Sequence, residues 1–260
     1  MKYKMLVFDL DNTLMKSDES IPFFTSNVLE TVYNNGYILM VATARDYWAT
    51  VANLNFNYHA SACMNGALTY NNKSLIDSIG FQKKQIDGIL DLYNHRYPKG
   101  NIVVTVGEIS YYKDVPEAYR KYNAVKVLNF DDFPDSVVIN RLVLMIEKSD
   151  FELFRGILCE DLTITDEGSN SDGIMKAVIW NSRANKLRSI YLVAKKYNIN
   201  KDEIVAFGDS FNDIEMLKEC GLGVAVSNSI PEAIDVADFV CGSNDEEGVA
   251  QFIKKRILNN

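Results

Sequence analysis

Short apolar runs alternate with helical patterns in the first and last thirds of the chain, and this alternation limits the fold more than any other feature. In the first third, apolar spacing predicts strands and helices over Lys4–Phe8, Pro22–Asn35, Tyr37–Ala42, Asp46–Leu54 and Ala60–Met64, then a hairpin from Leu68 to Ile76. In the last third it predicts them over Lys186–Tyr197, Glu203–Phe207, Phe211–Cys220, Leu222–Val226, Ile230–Val236, Asp238–Cys241 and Glu247–Ile257. Repeated strand–helix units are typical of a parallel sheet with helices on both faces. The predicted fold class is therefore α/β, with a Rossmann-like parallel sheet.

The middle of the chain, from about residue 81 to residue 183, has a different texture. Its predicted strands are Ile102–Val106, Ile109–Tyr112, Arg141–Glu147, Leu162–Thr165 and Ile174–Trp180. A polar loop over residues 166–173 separates the last two of these strands. This α+β pattern interrupts the α/β pattern. We therefore expect a core domain of residues 1–80 and 184–260, with an inserted α+β domain of residues 81–183.

The charge and hydropathy of the chain exclude some classes of function. The net charge is −8 and the pI is about 4.9, and no block of lysine and arginine offers a basic face to nucleic acid. No uncharged stretch of about 18 residues occurs, so we expect no membrane span. The apolar run behind the basic start ends at Asp9, which is too short for a signal peptide. Scattered cysteines with apolar neighbours indicate reduced thiols, so we expect a cytoplasmic protein.

Cysteine and histidine do not form a zinc pattern. The cysteines lie among apolar neighbours without a C-x-x-C pair, and only His59 and His95 offer imidazole ligands. We expect reduced thiols in the core at Cys63, Cys159, Cys220 and Cys241.

Two carboxylates follow the first predicted strand. Asp9 and Asp11 come directly after an apolar run and are followed by Thr13. Residues two apart in a strand point to the same side, so we expect both acids to arrive together at the strand's carboxyl end. Like charges this close need a cation or a shared proton, which favours a metal. A helix N-cap is the plainer alternative, whereas a calcium loop is excluded because Leu14 stands where its turn needs glycine.

Three further segments carry candidate binding groups. Thr43 follows the second strand, where it could cap a helix or hold a phosphate oxygen. Lys186 opens the helix behind the insert and is either a solvated surface charge or the cation of an anion site. In the segment Gly208–Asp213, two aspartates either begin a helix or add oxygen ligands to the first pair. Oxygen ligands without a histidine cluster favour Mg²⁺ over zinc.

These segments, taken in order, resemble the four motifs of the haloacid dehalogenase superfamily: Asp-x-Asp-x-Thr at residue 9, a strand ending in Thr43, Lys186, and Gly-Asp-x-x-Asn-Asp at residue 208. The size and position of the insert resemble those of the Cof-type sugar-phosphate phosphatases, as do the segments Met64–Ala67 and Gly223–Val226. Glycine is common in the family at four positions where this chain has Ala44, Arg183, Leu187 and Ser227. These departures bear on loop shape and substrate fit and remove no catalytic group.

The resemblance implies a Mg²⁺-dependent phosphatase that forms an aspartyl-phosphate intermediate. Asp9 would be the nucleophile, and Asp11 would protonate the leaving oxygen and then activate water. The implied metal ligands are Asp9, the backbone carbonyl of Asp11, Asp209 and, directly or through water, Asp213. The implied phosphate-binding residues are Thr43, Lys186 and Asn212. The insert would act as a lid, with polar candidates at Tyr111, Tyr112, Arg120, Tyr122 and Arg141.

Two other functions stay open. A sugar-phosphate mutase would use the same site, but its superfamily members usually carry a small helical lid, for which Met15–Phe23 is short. A regulatory protein that binds a sugar phosphate without turnover is disfavoured by the complete set of acids. The sequence identifies neither the phosphorylated metabolite nor the oligomeric state.

Overall fold

The structure is a computed structural model that describes residues 2–117, 124–130, 133–134 and 136–258. The chain divides into two compact units. The core unit comprises Met1–Asp77 and Asn185–Asn260, and the inserted unit comprises Ser78–Ala184.

The strands are numbered in chain order. They are β1 (Met5–Phe8), β2 (Ile38–Ala42), β3 (Ala60–Cys63), β4 (Leu68–Asn71), β5 (Ser74–Ser78), β6 (Phe81–Gln82), β7 (Ile102–Val106), β8 (Ile109–Tyr112), β9 (Val125–Val127), β10 (Val138–Ile139), β11 (Arg141–Glu147), β12 (Leu162–Ser169), β13 (Ile174–Asn181), β14 (Ile204–Gly208), β15 (Leu222–Val226) and β16 (Phe239–Cys241).

The α-helices are numbered in the same way. They are α1 (Phe23–Asn34), α2 (Tyr47–Val51), α3 (Asp87–Arg96), α4 (Phe151–Arg155), α5 (Lys186–Lys196), α6 (Ile214–Glu219), α7 (Pro231–Val236) and α8 (Gly248–Phe252). Among the residues that the structure describes, no helix is both long enough and apolar enough to span a bilayer.

The sheet of the core unit has the strand order β16-β15-β14-β1-β2-β3-β4-β5. Neighbours from β16 to β3 are parallel, and the β3–β4 pair is antiparallel. In β1, Phe8 is in register with Phe207 on one side and with Val41 on the other. Parallel strands end at a common edge of the sheet, so the segments that follow β1, β2 and β14 meet there.

The core of this unit lies on both faces of β1. Leu6 and Phe8 belong to an apolar cluster with residues of α1 and α8, whereas Met5 and Val7 belong to a second cluster with residues of α5 and α6. A strand covered on both faces has no solvent-facing side, which explains why its sequence is an uninterrupted apolar run.

The inserted unit has a sheet of order β12-β13-β11-β7-β8-β9, antiparallel except for the β8–β9 pair. Its hydrophobic core joins apolar residues of this sheet to Ile89 and Tyr93 of α3 and Phe154 of α4. A small antiparallel pair is formed by β6 and β10. The inserted unit therefore has α+β architecture.

Some local predictions were wrong. The polar loop predicted over residues 166–173 is partly strand, because a bulge between Asp166 and Ser169, with Gly168 at φ +108°, lets β12 continue to Ser169. The predicted last helix is α-helical only over Gly248–Phe252 and then continues as a π-helix over Ile253–Ile257.

The cysteine prediction was only partly right. Cys63 and Cys220 are buried, but Cys159 is exposed and Cys241 is only half-buried.

Candidate active site

The prediction that Asp9 and Asp11 share one side of a strand is wrong, because β1 ends at Phe8. The backbone N–H of Asp9 donates to the carbonyl of Phe207 at 2.9 Å, and the chain then turns, with Asn12 in the left-handed region at φ +58°. Asparagine tolerates this conformation better than most residues. The two carboxylates have different surroundings: the side chain of Asp9 is 8% exposed, whereas that of Asp11 is 46% exposed.

Lys186 joins Asp9 to the last motif. Its Nζ donates to Asp9 Oδ1 at 2.5 Å and to Asp213 Oδ1 at 2.7 Å, and its side chain is 1% exposed. Lysine is almost never buried this deeply unless it is paired. The structure therefore excludes the alternative of a solvated surface charge.

The position of Lys186 in its helix is locally unfavourable. It is the first residue of α5, whose N-cap Asn185 accepts a hydrogen bond from the backbone N–H of Arg188 at 2.7 Å. The helix macrodipole places partial positive charge at this end, which repels an ammonium group. The contacts with Asp9 and Asp213 offset that repulsion. A violation of a local preference in this way is typical of a functional site.

Gly208 makes room for the carboxylate of Asp213. Asp213 is fully buried, and its Oδ2 accepts hydrogen bonds from the backbone N–H groups of Asp209 and Ser210, each at 3.1 Å. A Cβ atom at position 208 would overlap the Cβ and carboxyl carbon of Asp213. Glycine is therefore required at this close approach, which lets backbone N–H groups of the loop bind the carboxylate of Asp213.

Thr13 connects the first motif to the last. Its hydroxyl donates to Asp209 Oδ1 at 2.8 Å, and both residues are buried. The threonine of the first motif thus positions the aspartate that follows β14.

The acid cluster, defined here as Asp9, Asp209, Asp213 and Lys186, carries more negative than positive charge. Three carboxylates and one ammonium leave two negative charges unbalanced when all of the groups are ionised. Burial raises the pKa of Asp9 well above its usual value; Lys186 opposes this shift, and Asp213 and Asp209 add to it. Burial also raises the pKa of Asp209 to about 6, against the hydrogen bond from Thr13. Burial would lower the pKa of Lys186, but Asp213 and Asp9 outweigh it and raise that pKa.

The donor set of this cluster fits a divalent metal. One carboxylate oxygen from each of Asp9, Asp209 and Asp213 lies within 4.8 Å of the others. Oxygen donors gathered in this way suit a hard divalent cation, whose charge equals the two unbalanced negative charges. The carboxylate of Asp11 is not part of this group of described residues; its predicted metal contact was through the backbone carbonyl.

Asp11 instead forms an ion pair with Arg45. The guanidinium Nε lies 2.9 Å from Asp11 Oδ2, and Nη2 lies 2.5 Å from Oδ1. The carboxyl groups of Asp9 and Asp11 therefore pair with different basic side chains rather than with one shared partner. The hydrogen bond to Asp11 raises the pKa of Arg45 further above its usual value, although burial opposes this.

Thr43 is fully buried at the end of β2. Its backbone N–H donates to the carbonyl of Ala62 at 2.9 Å, and its Oγ1 accepts from the backbone N–H of Arg45 at 3.1 Å. Because β1 and β2 are parallel neighbours, Thr43 lies at the same edge of the sheet as Asp9.

Asn212, the remaining predicted phosphate-binding residue, is exposed and lies outside the acid cluster. Its Nδ2 donates to Asn65 Oδ1 at 2.8 Å. Sequence reasoning assigned no role to Asn65 or to Arg45. The signal for Asn65 was an Asn-Gly pair, which indicates a tight turn, and Asn65 has φ +54°.

Two of the polar candidates, Tyr111 and Arg141, contribute to the packing of the inserted unit. Tyr111 packs edge-on against Phe133 with ring centroids 4.9 Å apart. Arg141 is buried, and its Nε donates to Thr105 Oγ1 at 3.3 Å. Tyr112 is half-buried in β8. Two further candidates lie outside the described residues, namely Arg120 and Tyr122.

The family model of the haloacid dehalogenase-like hydrolases matches residues 6–253. The chain belongs to this family. The match includes every segment of the candidate site, from Asp9 to Asp213.

Members of known function resemble the chain over nearly its whole length. Phosphatase YwpJ of Bacillus subtilis is 24% identical over 289 residues, covering 96% of this chain and 99% of its own. The 5-amino-6-(5-phospho-D-ribitylamino)uracil phosphatase YitU of the same organism is 24% identical over 275 residues, covering 96% of each chain. Among solved structures, the phosphatase BT1666 of Bacteroides thetaiotaomicron matches with a TM-score of 0.80 and 21% identity, covering 97% of this chain and 94% of its own. This hydrolase family and its phosphatase relatives support a phosphatase enzyme.

Proposed function

We propose that the protein is a Mg²⁺-dependent phosphatase that hydrolyses small phosphorylated metabolites, sugar phosphates foremost, through an aspartyl-phosphate intermediate. The observation that carries the proposal is the acid cluster, in which buried carboxylates with excess negative charge contact a buried lysine. Structural ion pairs rarely combine deep burial with unbalanced charge, whereas catalytic sites often do.

The metal would be held by Asp9, Asp209 and Asp213, together with the backbone carbonyl of Asp11. When bound, it supplies positive charge that lets a carboxylate approach a phosphate ester and that stabilises the transferred phosphoryl group. Lys186 adds a fixed positive charge that does not depend on the metal, and with Thr43 it would hold the non-bridging phosphate oxygens. Asn212, oriented by Asn65, would contribute from the exposed side.

The aspartates divide the chemistry between them. A carboxylate oxygen of Asp9 forms a bond to phosphorus while the ester P–O bond breaks, and Asp11 gives its proton to the departing alkoxide oxygen. Asp11 then takes a proton from a water molecule that attacks the same phosphorus atom. The bond between Asp9 and phosphorus breaks, inorganic phosphate leaves, and both side chains return to their initial states.

Two observations support the substrate class. The pattern of motifs and the position of the insert resemble those of the Cof-type sugar-phosphate phosphatases. The relative YitU is named for a substrate with a phosphorylated ribityl chain, which is a polyol phosphate. In this proposal the inserted unit serves as a lid that excludes water and contacts the leaving group.

The decisive experiment measures phosphate release from p-nitrophenyl phosphate with Mg²⁺ and after chelation of metal. We expect turnover only with the metal, and we expect Asp9→Asn to reduce it by about a thousandfold or more. Asp235→Asn, at an exposed position, is the matched control and should keep full activity. Turnover by the Asp9→Asn variant would contradict the assigned nucleophile. Binding of a sugar phosphate without release of phosphate would instead support the regulatory protein.

A further inference from the structure

We infer that Arg45 is a positioning residue that aims the carboxylate of Asp11 for proton transfer. The inference rests on the proposed function, in which Asp11 is the acid and then the base. It concerns a contact within the core unit alone.

The contact between Arg45 and Asp11 is a bidentate ion pair. Arg45 Nε lies 3.1 Å from Asp11 Oδ1 and 2.9 Å from Oδ2, and Nη2 lies 2.5 Å from Oδ1. Because both carboxylate oxygens accept from a planar guanidinium, the pairing fixes the orientation of the carboxylate as well as its position. A single-point donor such as lysine would fix only the distance.

Arg45 is the better anchored of the two side chains. It is 16% exposed, against 46% for Asp11, and its Nη2 also lies 3.4 Å from Glu19 Oε2. Its backbone N–H is bound to the hydroxyl of Thr43, so the main chain at Arg45 is fixed independently of the side chain. The arginine is therefore the support, and the half-exposed Asp11 is the group that it supports.

Stability alone does not explain this pair. Ion pairs with a solvent-exposed member contribute little to folding stability. Among the described residues, the Asp11 side chain forms hydrogen bonds only with Arg45, whereas Asp9 is held by Lys186. A general acid must lie within hydrogen-bond reach of the leaving oxygen, so freedom of the Asp11 side chain would slow its proton transfer.

The test compares two aryl phosphates of similar shape. Phenyl phosphate has a basic leaving group that needs a proton, and p-nitrophenyl phosphate has a more acidic one that can leave without it. The ratio kcat/KM covers the steps up to release of the phenol, so it isolates the transfer in which Asp11 is the acid. We expect Arg45→Ala to lower kcat/KM by about tenfold or more for phenyl phosphate and by less than about threefold for p-nitrophenyl phosphate.

Further variants test whether Arg45 acts through Asp11. Asp11→Asn should show the same selective loss, and adding Arg45→Ala to it should change kcat/KM by less than about twofold. Arg45→Lys should recover only part of the lost kcat/KM for phenyl phosphate, since lysine restores the positive charge without the bidentate pairing. Arg188→Ala, which removes another Arg–Asp pair of the core unit, is the matched control and should leave the ratio of the two substrates unchanged. Thermal melts confirm that each variant is folded.

The outcomes separate the two proposals. Equal losses on both substrates, no loss, or a further loss in the Asp11→Asn background would overturn the role of Arg45 while leaving the phosphatase in place. If the unmodified protein releases phosphate from neither ester in the presence of Mg²⁺, the proposed function fails, and the role of Arg45 fails with it.

Discussion

Both units of the molecule bury an aspartate against a cation, but they balance its charge differently. In the inserted unit, Asp150 accepts hydrogen bonds from Arg96 Nε at 2.7 Å, from Arg96 Nη2 at 2.6 Å and from the Tyr97 hydroxyl at 2.5 Å. One carboxylate and one guanidinium cancel each other there. The acid cluster of the core unit instead retains two unbalanced negative charges.

The difference separates a structural ion pair from a binding site. A balanced pair with its hydrogen bonds satisfied needs no further partner, and it ties α3 to the start of α4. Excess buried charge of one sign is costly unless something of opposite charge joins it. The core unit therefore keeps an arrangement that a metal would stabilise, whereas the inserted unit keeps one that serves its own fold.

The largest effect should come from Lys186→Met. The substitution leaves Asp9 and Asp213 buried without their cation, so the free energy of unfolding of the core unit should fall by about 3–5 kcal/mol. Urea unfolding followed by Trp48 fluorescence in a Trp180→Phe background reports on this unit. Phosphate release should fall by about a hundredfold or more. Arg96→Met is the control: it should leave turnover intact, and equal losses in both variants would remove the contrast between the units.

Mg²⁺ should have an intermediate effect, confined to the core unit. At a concentration of one hundred times its Kd, the ion should raise the free energy of unfolding of that unit by about 2.7 kcal/mol. Asp209→Asn should abolish the increase, because it removes a ligand and part of the excess charge. The same titration followed through Trp180, in a Trp48→Phe background, should leave the inserted unit unchanged. A shift of equal size in both units would contradict a specific site in the acid cluster.

The smallest effect should come from Asp150→Asn. The hydrogen bond from Tyr97, with Arg96, holds the pKa of Asp150 below its usual value, although burial opposes this. Because the pKa is lowered in the folded state, the carboxylate stabilises the inserted unit fully at pH values above the usual aspartate pKa of about 4. The benefit is lost as the pH falls through the lowered pKa.

We therefore expect Asp150→Asn to cost the inserted unit about 1–2 kcal/mol at pH 7 and less at pH 3. Urea unfolding through Trp180 in the Trp48→Phe background measures the difference at each pH. A cost that stays constant or grows on acidification would show that the carboxylate charge does not stabilise this unit.

Much of the core fold could be predicted from the sequence, because its central strands β1, β2, β14 and β15 are almost entirely buried. Leu222–Val226 has the predicted bounds, β1 begins one residue later than predicted, and β14 both begins and ends one residue later. Continuous apolar runs between polar loops leave few alternatives. Helix α3 was not located, since Gly88 and several polar residues interrupt its apolar face of Ile89, Leu90 and Tyr93.

The site was harder to predict than the fold. Motif residues 9, 209 and 213 do gather, but the sequence could not show that Asp9 and Asp11 have different cations. That outcome depends on the turn at Asn12 and on the burial of Arg45, both of which follow from tertiary structure. Strand periodicity was applied as far as Asp11, although β1 ends at Phe8.

The strand order has a consequence for how the molecule is made. Strand β1 can pair with β2 early in synthesis, but its other neighbour, β14, ends at Gly208. While the ribosome is still translating the chain, the backbone of the apolar strand β1 stays unpaired along one edge, where another chain could pair with it. Asp9 likewise meets Lys186 and Asp213 only when most of the polypeptide has emerged. A nascent chain is thus inactive at the same stage at which it most needs a chaperone. Both states end when the last third of the chain has been made and β14 pairs with β1.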